Sequence, residues 1–475
     1  MEGKKLHSGK PIRKGDVTLE VLSNLIAKGN EFLWSFLLIL LLCGTGIYYT
    51  IRLRFIQLRR FSEGWKLVFG SINLHGTKHE KGEMSPFQAI ATAIAAQVGT
   101  GNLAGAATAL ISGGPGAIFW MWVSAFFGMA TIYGEAVLAQ TYKEEHNGEV
   151  TGGPAYYIKA AYQGPLGQIL SKLFAVFIIL ALGFMGNMVQ SNSVGAAFSE
   201  VFEVANVNVP PIVIGLVVAA IAAFIFFGGT KRLAAVLEKV VPIMAGVYIL
   251  GSLIFIIMHI GAVPNAIRMI FVGAFDPKAA LGAAAGITVR EAVRYGVARG
   301  LFSNEAGMGS TPHAHARAKA SCPDEQGLCA MVSVFIDTFV ILNLTVLVIL
   351  TSGILGSAKE NGITGIALTQ GAFDAGFGSF GTIFVAFCLF FFAFSTVLGW
   401  HFFGAVNAKY LFGSDSAVKV YSLIVVLCII LGSTMKVDLV WDMADFFNGL
   451  MVIPNVLALL KLGSVVVNTR KLGKG

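Results

Sequence analysis

Apolar runs of roughly twenty residues, the length that crosses a bilayer, recur along this chain between short polar stretches. Divided at Gly, Pro and charge, they predict eleven spans, near residues 32–51, 86–111, 116–141, 170–200, 210–228, 234–260, 287–316, 327–353, 378–404, 417–435 and 439–467. A β-barrel needs ten-residue segments of alternating polarity, and none is evident. The expected fold is an all-α polytopic membrane protein. After the first span, "RLRFIQLRRFSEGWKLVFGSI" sets Phe55, Leu58, Phe61, Trp65 and Phe69 near the helical repeat among basic residues. That suits a helix in the lipid headgroup plane; a plain loop is the alternative.

Two spans are interrupted near their middles. In "AAQVGTGNLAGAATAL" (95–110), three glycines and an asparagine stand inside an apolar run. Gly99-x-Gly101-x-x-Ala104 fits a loose dinucleotide fingerprint, but that fold needs a β-strand before the glycines and an acidic residue about twenty positions later. Here the preceding run is "FQAIATAIAA", and Met121 and Trp122 lie twenty positions on. A helix broken in hydrocarbon leaves backbone groups unpaired at a cost of several kcal/mol each, so it persists only against protein, water or ligand. Gly101-x-x-x-Gly105 alone equally suits a close-packed helix interface. The second half of the chain favours the break. Span seven, "VRYGVARGLFSNEAGMGSTPHAHA" (293–316), has Gly300, Gly307 and Gly309 around Ser303, Asn304 and Glu305. Interrupted helices at matching positions in two halves point to a secondary transporter's binding site. Spans two to six and seven to eleven form halves of five, and an odd number inserts them with opposite topology.

At such a break the new N-terminus offers free N–H groups and about half a positive charge, while the preceding half offers free carbonyls. A zwitterionic amino acid matches both. The N–H groups of Gly99–Asn102 are candidates for its carboxylate, and carbonyls near Phe302 and Ser303 for its amine. A monovalent cation crossing about 100 mV supplies roughly 2.3 kcal/mol to drive uptake. Sodium needs hard oxygens, and Ser395 and Thr396 in span nine offer hydroxyls, unless they merely bond the carbonyl four residues back.

Composition narrows the class further. Of 475 residues 56% are apolar and 13% charged, against about 25% charged in soluble domains. No soluble domain is left to carry a nucleic-acid patch, and the net charge of +8 suits anionic lipid at the inner face. With Arg299 set apart and the Lys and Arg near span ends counted with the adjoining segments, the alternate segments beginning with 52–84 hold 21 and the others 12, which places the N-terminus outside and the C-terminus in the cytoplasm. The N-terminus lacks a short apolar region followed by a cleavage site, so the first span reads as retained. Five scattered cysteines lack metal-ligand spacing. An enzyme is disfavoured, because no nucleophile–base pairing or metal motif is present.

Other buried-region polar residues carry open readings. Glu135 is functional by default as an intramembrane carboxylate, or part of an inner-face network with Tyr133, Tyr142 and Lys143. Glu305 holds the second break by accepting local donors, or ligates an ion. Arg299 pairs with a carboxylate, Asp337 is structural, and Asp438, Asp442 and Asp445 form a solvated helix end. His313 and His315 are two apart and share no helical face.

"SPFQAIATAIAAQVGTGNLAGAATAL" (85–110), "GGPAYYI" (152–158) and "GVARGLFSNEAGMGSTPHAHA" (296–316) resemble the signature stretches of the alanine/glycine:cation symporters, also called sodium:alanine symporters. The resemblance runs from about residue 30 to the end, and Gln97 is where this sequence departs from it. It implies a LeuT-type 5+5 inverted repeat after one extra N-terminal helix, and sodium-driven uptake of alanine or glycine across a prokaryotic inner membrane. A proton-coupled symporter of another small neutral amino acid is the alternative. By position it places Gly99, Thr100, Gly101, Asn102, Gln190, Phe302, Ser303 and Asn304 on the substrate, with Phe302 and Met308 filling the side-chain pocket. Sodium would sit on the Ala95 and Val98 carbonyls and the Ser395 and Thr396 hydroxyls, a second ion near Asn102 and Asn343. No organic cofactor is implied, and a monomer is one assembly it allows. The expected organisation is a basic tail (1–31), the extra helix and amphipathic segment (32–84), two repeats (85–260 and 261–468) and a cytoplasmic tail (469–475).

Overall fold

The computed structural model describes residues 14–70, 83–146, 149–277, 287–435 and 437–472. The start of the basic tail, the end of the amphipathic segment and the last three residues lie outside these. Helix begins well before the first expected span: α1 (Lys14–Phe32) runs through a π-turn into α2 (Leu38–Arg52). The amphipathic segment forms α3 (Phe61–Gly70), with Trp65 and Phe69 exposed.

The first interrupted span is broken. α4 (Pro86–Gln97) and α5 (Gly101–Gly113) meet at an angle of 44°. Ser85 caps α4 in a capping box with Gln88, and Pro86 occupies the first turn, where its missing N–H costs nothing. Next come α6 (Gly116–Thr141), a hairpin of β1 (Glu144–His146) and β2 (Glu149–Thr151), α7 (Pro154–Ala161) and α8 (Pro165–Val204). The hairpin is a small correction to the all-α expectation. α9 (Pro211–Phe226), α10 (Gly229–Met258) and α11 (Val263–Phe275) follow.

The second interrupted span is broken too. α12 (Val289–Asn304) starts at a capping box of Thr288 and Glu291 and stops at Asn304; α13 (Pro312–Arg317) resumes after seven intervening residues. Glu305 adopts a left-handed conformation there, at φ 57°. α14 (Pro323–Ser352), α15 (Gly365–Phe377), α16 (Phe380–Phe412), α17 (Asp415–Gly432), α18 (Val437–Lys461) and α19 (Gly463–Leu472) follow.

Among the described residues seven helices are long and apolar enough to cross a membrane, and the bent α4–α5 pair makes an eighth. The other three expected spans fall on α2, α9 and the α12–α13 pair. α10 and α17 bury only 33% of their most apolar stretch, whereas α16 buries 72% of its own. The first two therefore present apolar side chains outward, such as Ile243, Leu250, Leu427 and Leu431, as a lipid-facing helix does, while α16 is central. It packs on α4, α8 and α15, and α6 supports α12 and α14 from behind. The two broken spans are stitched at one end: Met84, just before α4, pairs with the chain after α13 (Met84 N to Arg317 O, 2.9 Å; Lys319 N to Met84 O, 3.0 Å).

Candidate functional site

The fold brings the two breaks against each other. A Cβ on Gly101 would stand 3.2 Å from Ser303 Cα, and one on Gly99 would stand 2.5 Å from Thr396 Oγ1 and 3.3 Å from Gln190 Oε1. Both positions need glycine because backbone approaches side chain that closely. Thr100, Asn102, Gln190, Phe302, Ser303, Asn304, Met308, Ala95, Val98, Ser395 and Thr396 are all 4% exposed or less. These residues are shut away from solvent.

The turn at Val98–Gly99 diverts the local hydrogen bonds. Gly99 N donates to the Asn102 side chain at 2.9 Å instead of to the helix, and Asn102 N donates to Gly99 O at 3.3 Å. Thr100 N reaches Gln190 Oε1 at 3.3 Å. The carbonyls of Ala95 and Val98 are left facing Thr396 Oγ1, at 2.8 and 3.3 Å, and Phe392 O stands 3.0 Å from the same hydroxyl. A hydroxyl has one proton to give. Three carbonyls around it therefore leave a surplus of acceptors, which is the donor set a hard cation needs. Ser395 differs from its neighbour: its hydroxyl turns to Phe392 O at 2.9 Å and lies 3.4 Å from Met244 Sδ.

The breaks are joined by Asp337 of α14. Its carboxylate accepts from Asn102 Nδ2 at 2.6 Å, from Ser303 Oγ at 3.0 and 3.1 Å, and from Thr338 Oγ1 at 2.9 Å. Thr338 in turn accepts from Asn304 Nδ2 at 3.2 Å. The sequence reading left Asp337 as structural, although an intramembrane carboxylate was signal enough to rank it higher. Asn343, expected beside Asn102, is elsewhere engaged: it accepts from Trp122 Nε1 at 2.9 Å and donates to Phe339 O at 3.3 Å. Gln97 donates to Asn304 O at 2.8 Å, a direct tie across the breaks.

The turn after Asn304 is held from outside. Glu135 of α6 accepts from Gly307 N and Gly309 N, each at 2.9 Å, and from Asn455 Nδ2 at 2.7 Å. Tyr157 OH donates to the same Asn455, at 2.5 Å. Glu305 accepts from Ser310 Oγ and from Trp400 Nε1, each at 2.5 Å. So Glu305 receives side-chain donors, and Glu135 takes the backbone N–H groups of the turn. Met308 is buried within this turn, its N–H donated to Glu305 O at 3.1 Å.

Phe302 lies edge-on to Trp400 and tilted against Trp441, with ring centres 6.3 and 5.3 Å away. Above it Arg299 pairs with Asp445 at 2.9 Å and lies 5.4 Å over Trp441. Asp445 is thus a partner rather than part of a solvated helix end; the Asp438 side chain lies outside the described residues.

Broken helices facing each other inside a bundle, with carbonyls spare at one break and amides capped by scaffold at the other, are the site of a secondary active transporter. Comparison with known proteins places the chain within that class. Residues 19–472 match the model of the sodium:alanine symporter family, and the chain belongs to that family. It is 43% identical over 450 residues to the sodium/alanine symporter AgcS of Methanococcus maripaludis, covering 94% of this chain and 96% of that protein. It is 39% identical to the probable sodium/glutamine symporter GlnT of Bacillus subtilis, covering 95% and 91%. Among solved structures, MhsT in complex with L-phenylalanine superposes with a TM-score of 0.55 at 12% identity over 82% of this chain and 98% of MhsT. A manganese transporter of Eremococcus coleocola gives 0.52 at 13%, covering 84% and 82%. These likenesses establish a LeuT-like helical fold. Family membership makes the chain a multi-pass sodium-coupled amino-acid symporter and not an enzyme.

Proposed function

We propose that this symporter carries alanine or glycine into the cell with sodium, by alternating access around the paired breaks. The reading rests above all on the surplus of carbonyl oxygens around Thr396 Oγ1. Sodium binds the Ala95 and Val98 carbonyls and Thr396, with Ser395 joining by rotation of its hydroxyl. Asp337 takes the place that the sequence reading gave to Asn343 in a second cation site near Asn102.

Because Glu135 already occupies Gly307 N and Gly309 N, the second break has little to offer a carboxylate. The substrate carboxylate therefore docks on Thr100 N–H, displacing the long contact from Gln190, whose amide N–H turns to the ligand. The ammonium group faces the carbonyls of Phe302 and Ser303. Binding in one orientation follows from this asymmetry. Phe302, hemmed in by Trp400 and Trp441, and Met308 leave room for a hydrogen or a methyl. A further methylene costs about 1–3 kcal/mol in such a pocket, so exclusion of larger side chains is steric and graded.

The eleven spans, with α4–α10 and α12–α18 as inverted repeats of five after α2, supply two bodies that rock about the site in a prokaryotic inner membrane. The N-terminus is outside, and α3 lies at the inner lipid face. The Arg299–Asp445 pair over Phe302 closes the outer route. One chain contains the whole site, so a monomer suffices. Uptake of labelled alanine into proteoliposomes with an imposed sodium gradient, against an imposed proton gradient, tests the reading. Uptake driven by protons alone would overturn the sodium assignment.

A further inference from the structure

The end of the molecule that carries α13 holds a cavity of about 170 Å³ that the central site does not explain. β2, the α9–α10 turn, α16 and α17 wall it, and its polar lining includes Glu149, Arg317, His401, Lys409 and Asp415. Lys409 is paired twice, with Glu149 at 3.3 Å and Asp415 at 3.1 Å. Arg317 is not. It is only 7% exposed, makes no ion pair among the described residues, and its Nε has no hydrogen-bond partner. The Phe402 ring lies 5.3 Å from it, and the Glu149 carboxylate acts on it from beyond ion-pair distance. A buried guanidinium N–H left without an acceptor bears its full desolvation cost.

His401 is the second spare group. It is 5% exposed and stacked on Phe226 at 3.6 Å. Its Nε2 lies 2.8 Å from Ser422 Oγ. Ser422 gives its own proton to Val418 O at 2.8 Å, so Nε2 must be the donor and Nδ1 carries a bare lone pair. That Nδ1 has no partner. The lining thus holds one unanswered guanidinium N–H and one unanswered acceptor, on a wall whose two carboxylates and two cations cancel in formal charge. A simple anion would meet Glu149 and Asp415, and a simple cation would meet Arg317. A small zwitterion answers both, its carboxylate on the guanidinium and its ammonium on Nδ1. On α16, His401 lies five residues, about 7.5 Å of helix rise, beyond Thr396.

We infer that this cavity is a second subsite for the transported amino acid, occupied between the central site and the Arg317 end of the molecule. The inference rests on the amino-acid reading above. It is tested by equilibrium binding of labelled alanine, up to millimolar concentration and in saturating sodium, to the full chain in phosphatidylcholine nanodiscs. The wild type is expected to bind two alanines per chain, Asn102→Ala one, Arg317→Gln one and the double variant none. Arg317→Lys keeps the charge without the planar fork, guards against misfolding of the Gln variant, and is expected to weaken the second site at least tenfold. A wild type that binds one alanine, lost in Asn102→Ala and kept in Arg317→Gln, overturns the subsite and leaves the amino-acid reading standing. No alanine or glycine bound at all would sink that reading itself. The lipid alternative is separated by adding phosphatidylglycerol: alanine displaced from the second site in its presence, with a lipid retained by wild type and lost in Arg317→Gln on native mass spectrometry, assigns the cavity to a lipid phosphate instead.

Discussion

Replacing Thr396 with valine removes one oxygen from the crowded group at the first break while keeping the β-branched shape that suits a helix. With the ion bound, the hydroxyl is a dipole aimed at a full charge, a contact worth about 1.5–3 kcal/mol by analogy with hydrogen bonds to charged groups. Without the ion, the same hydroxyl makes one ordinary hydrogen bond to Ala95 O at 2.8 Å, worth about 1 kcal/mol. Only the difference, roughly 0.5–2 kcal/mol, enters the ion affinity. At 1.36 kcal/mol per tenfold, the sodium concentration for half-maximal uptake should rise about two- to thirty-fold. The assay is uptake of labelled alanine into proteoliposomes, at saturating alanine, as external sodium is varied. Ser395→Ala is the internal control. Its hydroxyl points to Phe392 O and Met244, so it should shift the half-saturation less than Thr396→Val does. A Thr396→Val transporter whose maximal rate falls while its sodium half-saturation stays at the wild-type value would refute the argument, as would a larger shift from Ser395→Ala.

Gly99→Ala places a methyl 2.5 Å from Thr396 Oγ1, whereas Gly101→Ala meets Ser303 at 3.2 Å or more; sodium-dependent alanine binding should be lost in the first and only weakened in the second, by isothermal titration. Asp337→Asn turns one face of a carboxylate that receives three side chains into a donor, and weakening these charge-assisted bonds should cost roughly 3 kcal/mol, read as an alanine affinity at least thirty-fold lower. Glu135→Gln can satisfy only one of Gly307 N and Gly309 N; the orphaned N–H should lower stability by about 1–3 kcal/mol, measured as a reduced Tm with transport partly kept.

How much of this was legible in the sequence follows from where the signals lay. The breaks announced themselves locally, because Gly, Asn and Ser inside an apolar run are conspicuous, and Thr396 stood out with Ser395 as a hydroxyl pair inside an apolar span. Asp337 did not. Its partners Asn102 and Ser303 are 235 and 34 residues away, and nothing in the period of α14 says which carboxylate faces a gap between two other helices. The Arg299–Asp445 pair spans 146 residues in the same way. The short helices α11 and α15, each of thirteen residues, sit where the sequence reading placed connections. They are too short to cross the bilayer, so a search for bilayer-length runs passes over them. Ser395 and Thr396 are adjacent on α16, yet only the second faces α4; side-chain direction at that resolution comes from packing, not spacing.

The pairing of Met84 with Arg317 and Lys319 has a mechanical meaning. Two half-helices more than two hundred residues apart in the chain are lashed together, so neither can swing away alone. In the alternating-access cycle proposed above, an opening at this end would lift both as a single flap, with one latch rather than two independent doors.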